Sequence, residues 1–446
     1  MLNELIATIN SFVWGPYMLI LLVGTGVYLT LRLGFIQVRY LPAALGLVFR
    51  RSRQATGEGD ISPLQALTTA LSATIGTGNI AGVATAIYLG GPGAVFWMWV
   101  CAVFGMATKY AEAVLAVKYR HHLPDGTMQG GPMRYIADGL GWKWLGWLFA
   151  LFGAIAAFGI GSMVQSNSVA LALEGTWGIS RVATGVVLAV LVAVVIIGGI
   201  KRIGQVTEKL VPAMAVFYVI GALAIIIINF DKVGGAFGLI FAHAFTPASA
   251  TGGFAGAAVS AAMRFGVARG VFSNEAGLGS APIAHAAAKT SSPVRQGLVA
   301  MTGVFFDTIV VCTLTALVIL MTGAWTSGET SSALTQRAFE TGLVGPGGII
   351  VTIGLAVFAY STMIGWAYYG EECIEYILGI KARTPYRYIF CIVIAIGAFQ
   401  KVGFVWNFSD TMNGAMAIPN LIGLLGLSGV VVKATREALA RPETLG

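Results

Sequence analysis

Charge is scarce in this sequence. Only 10% of its 446 residues are charged against 57% hydrophobic, and the mean hydropathy is +0.81. A soluble domain carries about 25% charged residues, so the composition excludes an ordinary water-soluble globule and points to a polytopic membrane protein. Metal and catalytic chemistry is equally thin. The four cysteines, Cys101, Cys312, Cys373 and Cys391, fall in or beside apolar runs without metal-ligand spacing, and read as small packing residues. His121 and His122 lie in a polar loop without carboxylate or cysteine ligands beside them, and His285 reads as a packed helix residue. No HExxH or comparable catalytic constellation occurs, which argues against an intramembrane enzyme. No ring of charges or continuous polar track suggests a channel. The net charge of +8 is spread over short loops, with no basic face or tail for nucleic acid. Met1 to Phe12 has no basic n-region and no clear small-residue cleavage site follows, so the first span is expected to be retained.

What the sequence has is long apolar runs. Eleven are read as spans, roughly Phe12–Leu31, Pro63–Leu89, Ala94–Val117, Trp144–Leu173, Arg181–Ile200, Leu210–Asn229, Phe254–Ala288, Gly297–Thr322, Gly347–Leu378, Tyr386–Gln400 and Gly403–Val432. Several exceed the ~20 residues of a straight crossing, which implies tilt or breaks. The loop after the first span holds Arg32, Arg39, Arg50, Arg51 and Arg53. Taking it as cytoplasmic places twenty Lys and Arg residues inside and leaves four outside: Arg181, Lys232, Arg337 and Lys401. That bias makes eleven spans self-consistent, with the N-terminus outside, the C-terminus inside and the chain in the plasma (inner) membrane.

Two runs contain residues that a plain spanning helix avoids. The second holds Ser72-Ala73-Thr74-Ile75-Gly76-Thr77-Gly78-Asn79-Ile80-Ala81-Gly82, where glycines weaken the helix and Thr77 and Asn79 place polar groups at membrane depth. The seventh holds glycines, the triplet Ser273-Asn274-Glu275 and Pro282 within Gly266 to Pro282. Backbone that leaves the helix at this depth is tolerated inside protein or beside a water-filled cavity. Both spans are therefore expected to be broken. Asn79 and Asn274 are 195 residues apart, and each break opens a set of five spans. Because five is odd, the second set starts from the opposite side of the membrane, the layout of an inverted-topology repeat. The chain then divides into an accessory N-terminal helix and cytoplasmic loop (1–62), a first five-helix repeat (63–229), a second (254–432) and a cytoplasmic tail (433–446).

A broken helix exposes orphan carbonyls where its first half ends and orphan N–H groups where its second begins. Carbonyls near Ser72–Ile75 suit Na⁺, a hard cation, and the N–H groups of Gly78, Asn79 and Ile80 suit a carboxylate. A zwitterionic amino acid fits, its ammonium on free carbonyls near Phe272–Asn274. In the fourth span Gly161, Gln165 and Ser168 share a stripe, with Phe158 one turn below. Gln165 either closes the site or bonds a neighbouring helix. In the ninth, the hydroxyls of Ser361 and Thr362 either complete a Na⁺ shell or back-bond to the preceding turn. Trp366, on the same face as Thr362, caps a small pocket or is an ordinary core aromatic. Lys109 and Glu112 are spaced to pair. Arg264, Arg269, Glu275 and Asp307 are intramembrane charges and functional candidates by default. Glu275 is expected to be structural, since facing a substrate carboxylate it would repel it.

The stretches Ser72–Ala86 (SATIGTGNIAGVATA), Gly90–Trp99 (GGPGAVFWMW), Gly105–Glu112 (GMATKYAE), Gly266–Ala288 (GVARGVFSNEAGLGSAPIAHAAA) and Tyr360–Gly370 (YSTMIGWAYYG) resemble the alanine or glycine:cation symporter family. The resemblance covers nearly the whole chain. It implies the all-α, five-plus-five inverted-repeat fold of the bacterial leucine transporter, here with eleven transmembrane helices, two of them broken, and one extra N-terminal helix. It further implies Na⁺-coupled uptake of alanine, glycine or similar small amino acids, with no enzyme activity and no obligate protein partner. The substrate contacts carried over are Thr77, Gly78 and Asn79 on the first broken helix and Phe272, Ser273, Asn274 and Gly277 on the second. Gln165, Thr362 and Trp366 would close the pocket. The carbonyls of Ser72 and Ile75 with the hydroxyls of Ser361 and Thr362 match the family's sodium site. A proton-coupled carrier, with Glu275 or Asp307 as proton site, is the alternative.

Overall fold

Every one of the apolar runs carries helix in the computed structural model of the chain, which describes residues 8–11, 13–49, 57–245 and 259–441. Phe12, Arg50, Arg51, Arg53, Phe254 and the tail beyond Arg441 lie outside the described residues. An apolar helix, α1 (Pro16–Arg32), is followed by α2 (Pro63–Thr74) and α3 (Gly78–Gly90), two halves bent by 50° at a short break. Next come α4 (Ala94–Lys118), α5 (Lys143–Trp177), α6 (Arg181–Ile196), α7 (Gly199–Ile228) and α8 (Val233–Phe245). A second interrupted helix comprises α9 (Val259–Asn274) and α10 (Ala281–Ala286). The remainder is α11 (Pro293–Met321), α12 (Ser331–Gly342), α13 (Gly347–Leu378), α14 (Arg383–Gly397) and α15 (Val402–Leu439).

Among the described residues, six helices (α4, α5, α7, α11, α13 and α15) are long and apolar enough to cross a bilayer, and α2 with α3 makes a seventh. The apolar helices α1 and α6 are shorter, at 17 and 16 residues. Length and composition thus support seven of the eleven expected crossings. Exposed apolar surface runs along α6, where Val186, Val190 and Val194 form a stripe at near-helical spacing. The buried faces form two apolar clusters, one around α1, α5, α13 and α15 and one around α3, α7 and α12.

Local hydrogen bonding explains both interruptions. Ser62 starts α2 with a reciprocal cap: its hydroxyl accepts from Gln65 N at 3.1 Å, and Gln65 Oε1 accepts from Ser62 N at 3.0 Å. The helix ends at Thr74 because Ile75 turns to φ −74°, ψ 92°, outside helical geometry. The next amide, Gly76 N, donates to Asn79 Oδ1 at 2.9 Å. The chain resumes as a wide π-turn over Gly78–Gly82 and tightens to α-helix at Val83.

The second interruption runs through residues 275–280. The N–H groups of Ala276, Gly277 and Leu278 would close helical turns onto Phe272, Ser273 and Asn274. They donate instead to Asn274 Oδ1 at 3.0 Å, Glu112 Oε1 at 3.1 Å and Glu275 O at 3.2 Å. Gly279 N also reaches Glu112 Oε1, at 3.1 Å. The left-handed turn falls on Glu275 (φ 57°), Gly277 (φ 89°) and Gly279 (φ 82°). For Glu275 that conformation costs roughly 1–2 kcal/mol, offset by hydrogen bonds to its carboxylate from Trp366 Nε1 at 2.7 Å and Ser280 Oγ at 2.6 Å. The pairing of Lys109 with Glu112 suggested by their spacing does not form. Glu112 is engaged by the break and by Asn420 Nδ2 at 2.7 Å, while the buried Lys109 Nζ has no hydrogen-bond partner.

The far ends of the two interrupted helices are tied together. Asp60 N and Ile61 N donate to Ala287 O at 2.8 and 3.2 Å, and Lys289 N returns a bond to Ile61 O at 2.7 Å, a parallel bridge between Ile61 and Ala288. Arg120 donates to the carbonyls of Ala286, Ala288 and Thr290 at 2.9, 2.6 and 2.9 Å, capping the exit of α10. Glu112→Ala removes the acceptor shared by two buried amides and Asn420. It is expected to destabilise the protein by roughly 1–3 kcal/mol or more, read as a lowered melting temperature. Glu112→Gln, which keeps an acceptor oxygen, is expected to lose less.

Candidate functional site

The two interruptions meet. A Cβ built on Gly78 would stand 3.0 Å from Ser273 Cα and 3.4 Å from Phe272 Cδ1, so α3 begins in contact with the end of α9. Asn79 joins them to α11. Its Oδ1 holds Gly76 N, and its Nδ2 donates to Asp307 Oδ1 at 2.7 Å. Ser273 Oγ and Thr308 Oγ1 donate to Asp307 Oδ2 at 2.9 and 2.7 Å, and Asn274 Nδ2 donates to Thr308 Oγ1 at 3.1 Å. Asp307, fully buried, is thus the hub between the breaks. Each of its oxygens faces a donor, the arrangement of an ionised carboxylate.

With their usual amide donors diverted, the carbonyls of Phe272, Ser273 and Asn274 are left without helical partners. At the first break the carbonyl of Ser72 accepts from Ser361 Oγ at 3.2 Å. The same hydroxyl and that of Thr362 also donate to Phe358 O, at 2.8 and 3.1 Å, so back-bonding and approach to the break coexist. Thr362 Oγ1 lies 2.3 Å from the Cβ position of Gly76, and Gln165 Oε1 lies 3.5 Å from it. Ser72, Gly76, Gln165, Ser361 and Thr362 are therefore gathered at one place, where carbonyl and hydroxyl oxygens make the hard donor set that suits Na⁺.

Two buried polar atoms here have no partner: Gln165 Oε1 and Thr77 Oγ1. Gln165 Nε2 is held by Ile160 O at 2.8 Å, which aims the amide. Residues 157–163 form a π-segment, so the expected stripe is re-phased. Phe158 turns away to stack on Tyr386 and Phe390, and Ser168 Oγ back-bonds to Val164 O at 2.7 Å. Gly161 lets α13 approach, since a Cβ there would lie 2.2 Å from Trp366 Cβ. Trp366 itself is fully buried, with its indole N–H on Glu275.

Gly277 sits elsewhere. Its N–H is on Glu112 and its carbonyl accepts from Asn420 Nδ2 at 2.9 Å, against Leu22 and Leu421, so it does not face the place where the breaks meet. One and a half turns before Asn274, Arg269 pairs with Asp410 of α15, its guanidinium 5.2 and 5.4 Å from the ring centroids of Phe272 and Trp406. Asp410 and Asn420 went unnoticed in the sequence. Their signal, polar residues inside the last apolar run, is present there.

A model of the sodium:alanine symporter family matches residues 1–443. Over 441 residues the chain is 58% identical to the sodium/alanine symporter AgcS of Methanococcus maripaludis, covering 97% of this chain and 96% of that one. It is 39% identical to a Bacillus subtilis protein named as a probable sodium/glutamine symporter, GlnT, covering 98% and 90%. Among solved structures, the manganese transporter of Eremococcus coleocola, crystallised as the H236A mutant, is similar in fold at a TM-score of 0.52 and 13% identity, covering 85% of this chain and 82% of that one.

Gly161→Ala is expected to displace Trp366 and weaken alanine binding at least tenfold, measured by titration of the purified protein. Gly24→Ala, where a Cβ meets nothing within 4 Å, is the control expected to leave binding unchanged.

Proposed function

We propose that this chain, which belongs to the sodium:alanine symporter family, is a multi-pass membrane symporter that uses the Na⁺ gradient to import alanine, glycine or a similar small amino acid. The single observation that carries the site is the pair of orphaned atoms, Gln165 Oε1 and Thr77 Oγ1, at the meeting of two interrupted helices. An unmade hydrogen bond to a buried polar group costs roughly 1–3 kcal/mol, so a ligand that supplies donors recovers it.

In the proposed mechanism Na⁺ lies between the carbonyls of Ser72 and Ile75 and the hydroxyls of Ser361 and Thr362. The substrate carboxylate takes the start of α3 at Thr77, Gly78 and Asn79. Its ammonium takes the carbonyls of Phe272, Ser273 and Asn274, with Gln165 as a further acceptor. Glu112 supports this choice of polarity: it already supplies an anion to the amides of the second break, so a second carboxylate is repelled there. Trp366 against Gly161 leaves room for a small side chain. Gly277 is dropped from the contacts because its N–H is engaged. The proton-coupled alternative finds less support, since Glu275 and Asp307 both have donors on both oxygens.

The eleven-span, five-plus-five arrangement is part of the same reading. It is supported by the matching order of elements: an interrupted helix, then a long helix, then a short helical piece (Pro132–Gly139 or α12), then the rest of each set. With the basic loops inside, Arg269 and Asp410 lie on the outer side of the site. Alternating access then opens that side and the basic-loop side in turn.

Ion and substrate stabilise the same closed arrangement, so each raises the other's affinity by the same factor. Proteoliposomes with a Na⁺ gradient are expected to accumulate alanine, and equal uptake without Na⁺ overturns the coupling. Ser361→Ala is expected to raise the Na⁺ concentration for half-maximal uptake about tenfold, a loss of ~1.4 kcal/mol. Gln165→Ala is expected to weaken alanine binding by a similar factor at saturating Na⁺. An unchanged affinity removes Gln165 from the site.

A further inference from the structure

A cavity of about 220 Å³ opens at the end of the fold where Lys201, Arg383 and Arg387 gather, and Asp60, Glu371 and Glu372 line it. Its charges do not balance. Arg387 is committed to Glu371, with Nε and Nη2 each 2.6 Å from a carboxylate oxygen. Arg383 is shared between Asp125 at 2.6 Å and Glu375, and comes only within 3.9 Å of Glu372 Oε1. Two guanidinium groups therefore serve four acids, and Asp60, which accepts from Met128 N at 2.8 Å and has Lys201 on the same cavity wall, adds a fifth, so three cations face five acids. Glu372 is 2% exposed, and its Oε2 has no hydrogen-bond partner. A buried carboxylate so short of donors calls for a neutralising cation or proton. Burial also pushes the Asp60 carboxyl above the usual carboxylate range.

The position of Glu372 connects it to the site above. Ser361, Gly365, Tyr368 and Glu372 fall at i, i+4, i+7 and i+11 on α13, one face of one helix. The face that touches Ser72 at the first break thus carries Glu372 about 16 Å further along, at 1.5 Å per residue. Among the described residues no three His, Cys, Asp or Glu side chains are grouped to hold a metal, so an ion here would take part of its shell from water or carbonyl oxygen. A cavity of this volume has room for an ion that keeps part of its water.

We propose that this cavity is a second, weaker site for Na⁺, held partly hydrated by Glu372 and Asp60 on its path between Ser72–Ser361 and the basic-loop side. The proposal rests on the sodium-coupled reading, and Glu372 takes no part in the substrate contacts.

Binding of radioactive sodium to the purified full-length protein, without alanine, tests it. Two phases are expected. Glu372→Gln removes the weaker one, Asp60→Asn raises its half-saturation about tenfold, and Ser361→Ala raises the half-saturation of the tighter one about tenfold. Asp60→Asn, in the segment preceding α2, keeps the test open if Glu372→Gln does not fold. Retention of both phases in both acid variants overturns the proposal and assigns the charge of Glu372 to a bound proton. A single phase in the unmodified protein, shifted by Ser361→Ala and untouched by Glu372→Gln, overturns it too. Alanine binding that ignores Na⁺ sinks the symporter reading instead, while a sodium phase lost in Glu372→Gln still supports the cavity site.

Discussion

The amide of Gly76 bonded to the side chain of Asn79 is the contact from which the rest of the centre follows. In an uninterrupted helix that amide would serve Ser72. Diverting it frees the Ser72 carbonyl, which Ser361 then approaches from α13. The other end of the same amide side chain reaches Asp307, and through it Ser273 of the second interruption. One asparagine thereby ends a helix, exposes an oxygen and joins two distant parts of the chain.

The two interruptions use the same physics with opposite polarity of use. At the second, the protein supplies its own anion: Glu112 satisfies the amides of Gly277 and Gly279, and Asn420 fixes both partners. What remains exposed at that break is carbonyl oxygen, electronegative and suited to a donor. At the first, Asp307 is held by the side chain of Asn79 and no carboxylate accepts from the backbone amides at the start of α3 among the described residues, so those amides are the ones free to attract an anion. A zwitterion laid across the crossing of Gly78 and Ser273, as proposed, would satisfy both ends at once.

Much of this was legible in the residues. Glycines beside Thr77 and Asn79, and glycines around Ser273-Asn274-Glu275 with Pro282, announced the two interruptions, and Asn79 and Ser273 meet at Asp307 while Gln165 and Thr362 meet at Gly76, with Ser361 on the carbonyl of Ser72. What the sequence hid was geometry that depends on partners distant along the chain. The spacing of Lys109 and Glu112 suggested an ion pair, but backbone amides 165 and 167 residues away from Glu112 compete better for the carboxylate. The stripe through Phe158 assumed a regular helical repeat, and a π-segment shifts the register by a fraction of a turn. Gly277 came in as a contact through the family resemblance, and in the structure its positive φ turns it towards α4 and α15. Length explains three of the four missing crossings, since α1, α6 and α14 have apolar faces but only 17, 16 and 15 residues, and the interruption between α9 and α10 explains the fourth.

The parallel bridge between Ile61 and Ala288 has a mechanical consequence. It staples the entry to α2 onto the exit from α10, and Arg120, just past the end of α4, clamps the same segment. These ends cannot drift apart independently without breaking several backbone bonds. A rearrangement that unseals this end of the molecule therefore either carries the entry of α2 and the exit of α10 along together or breaks the bridge between them.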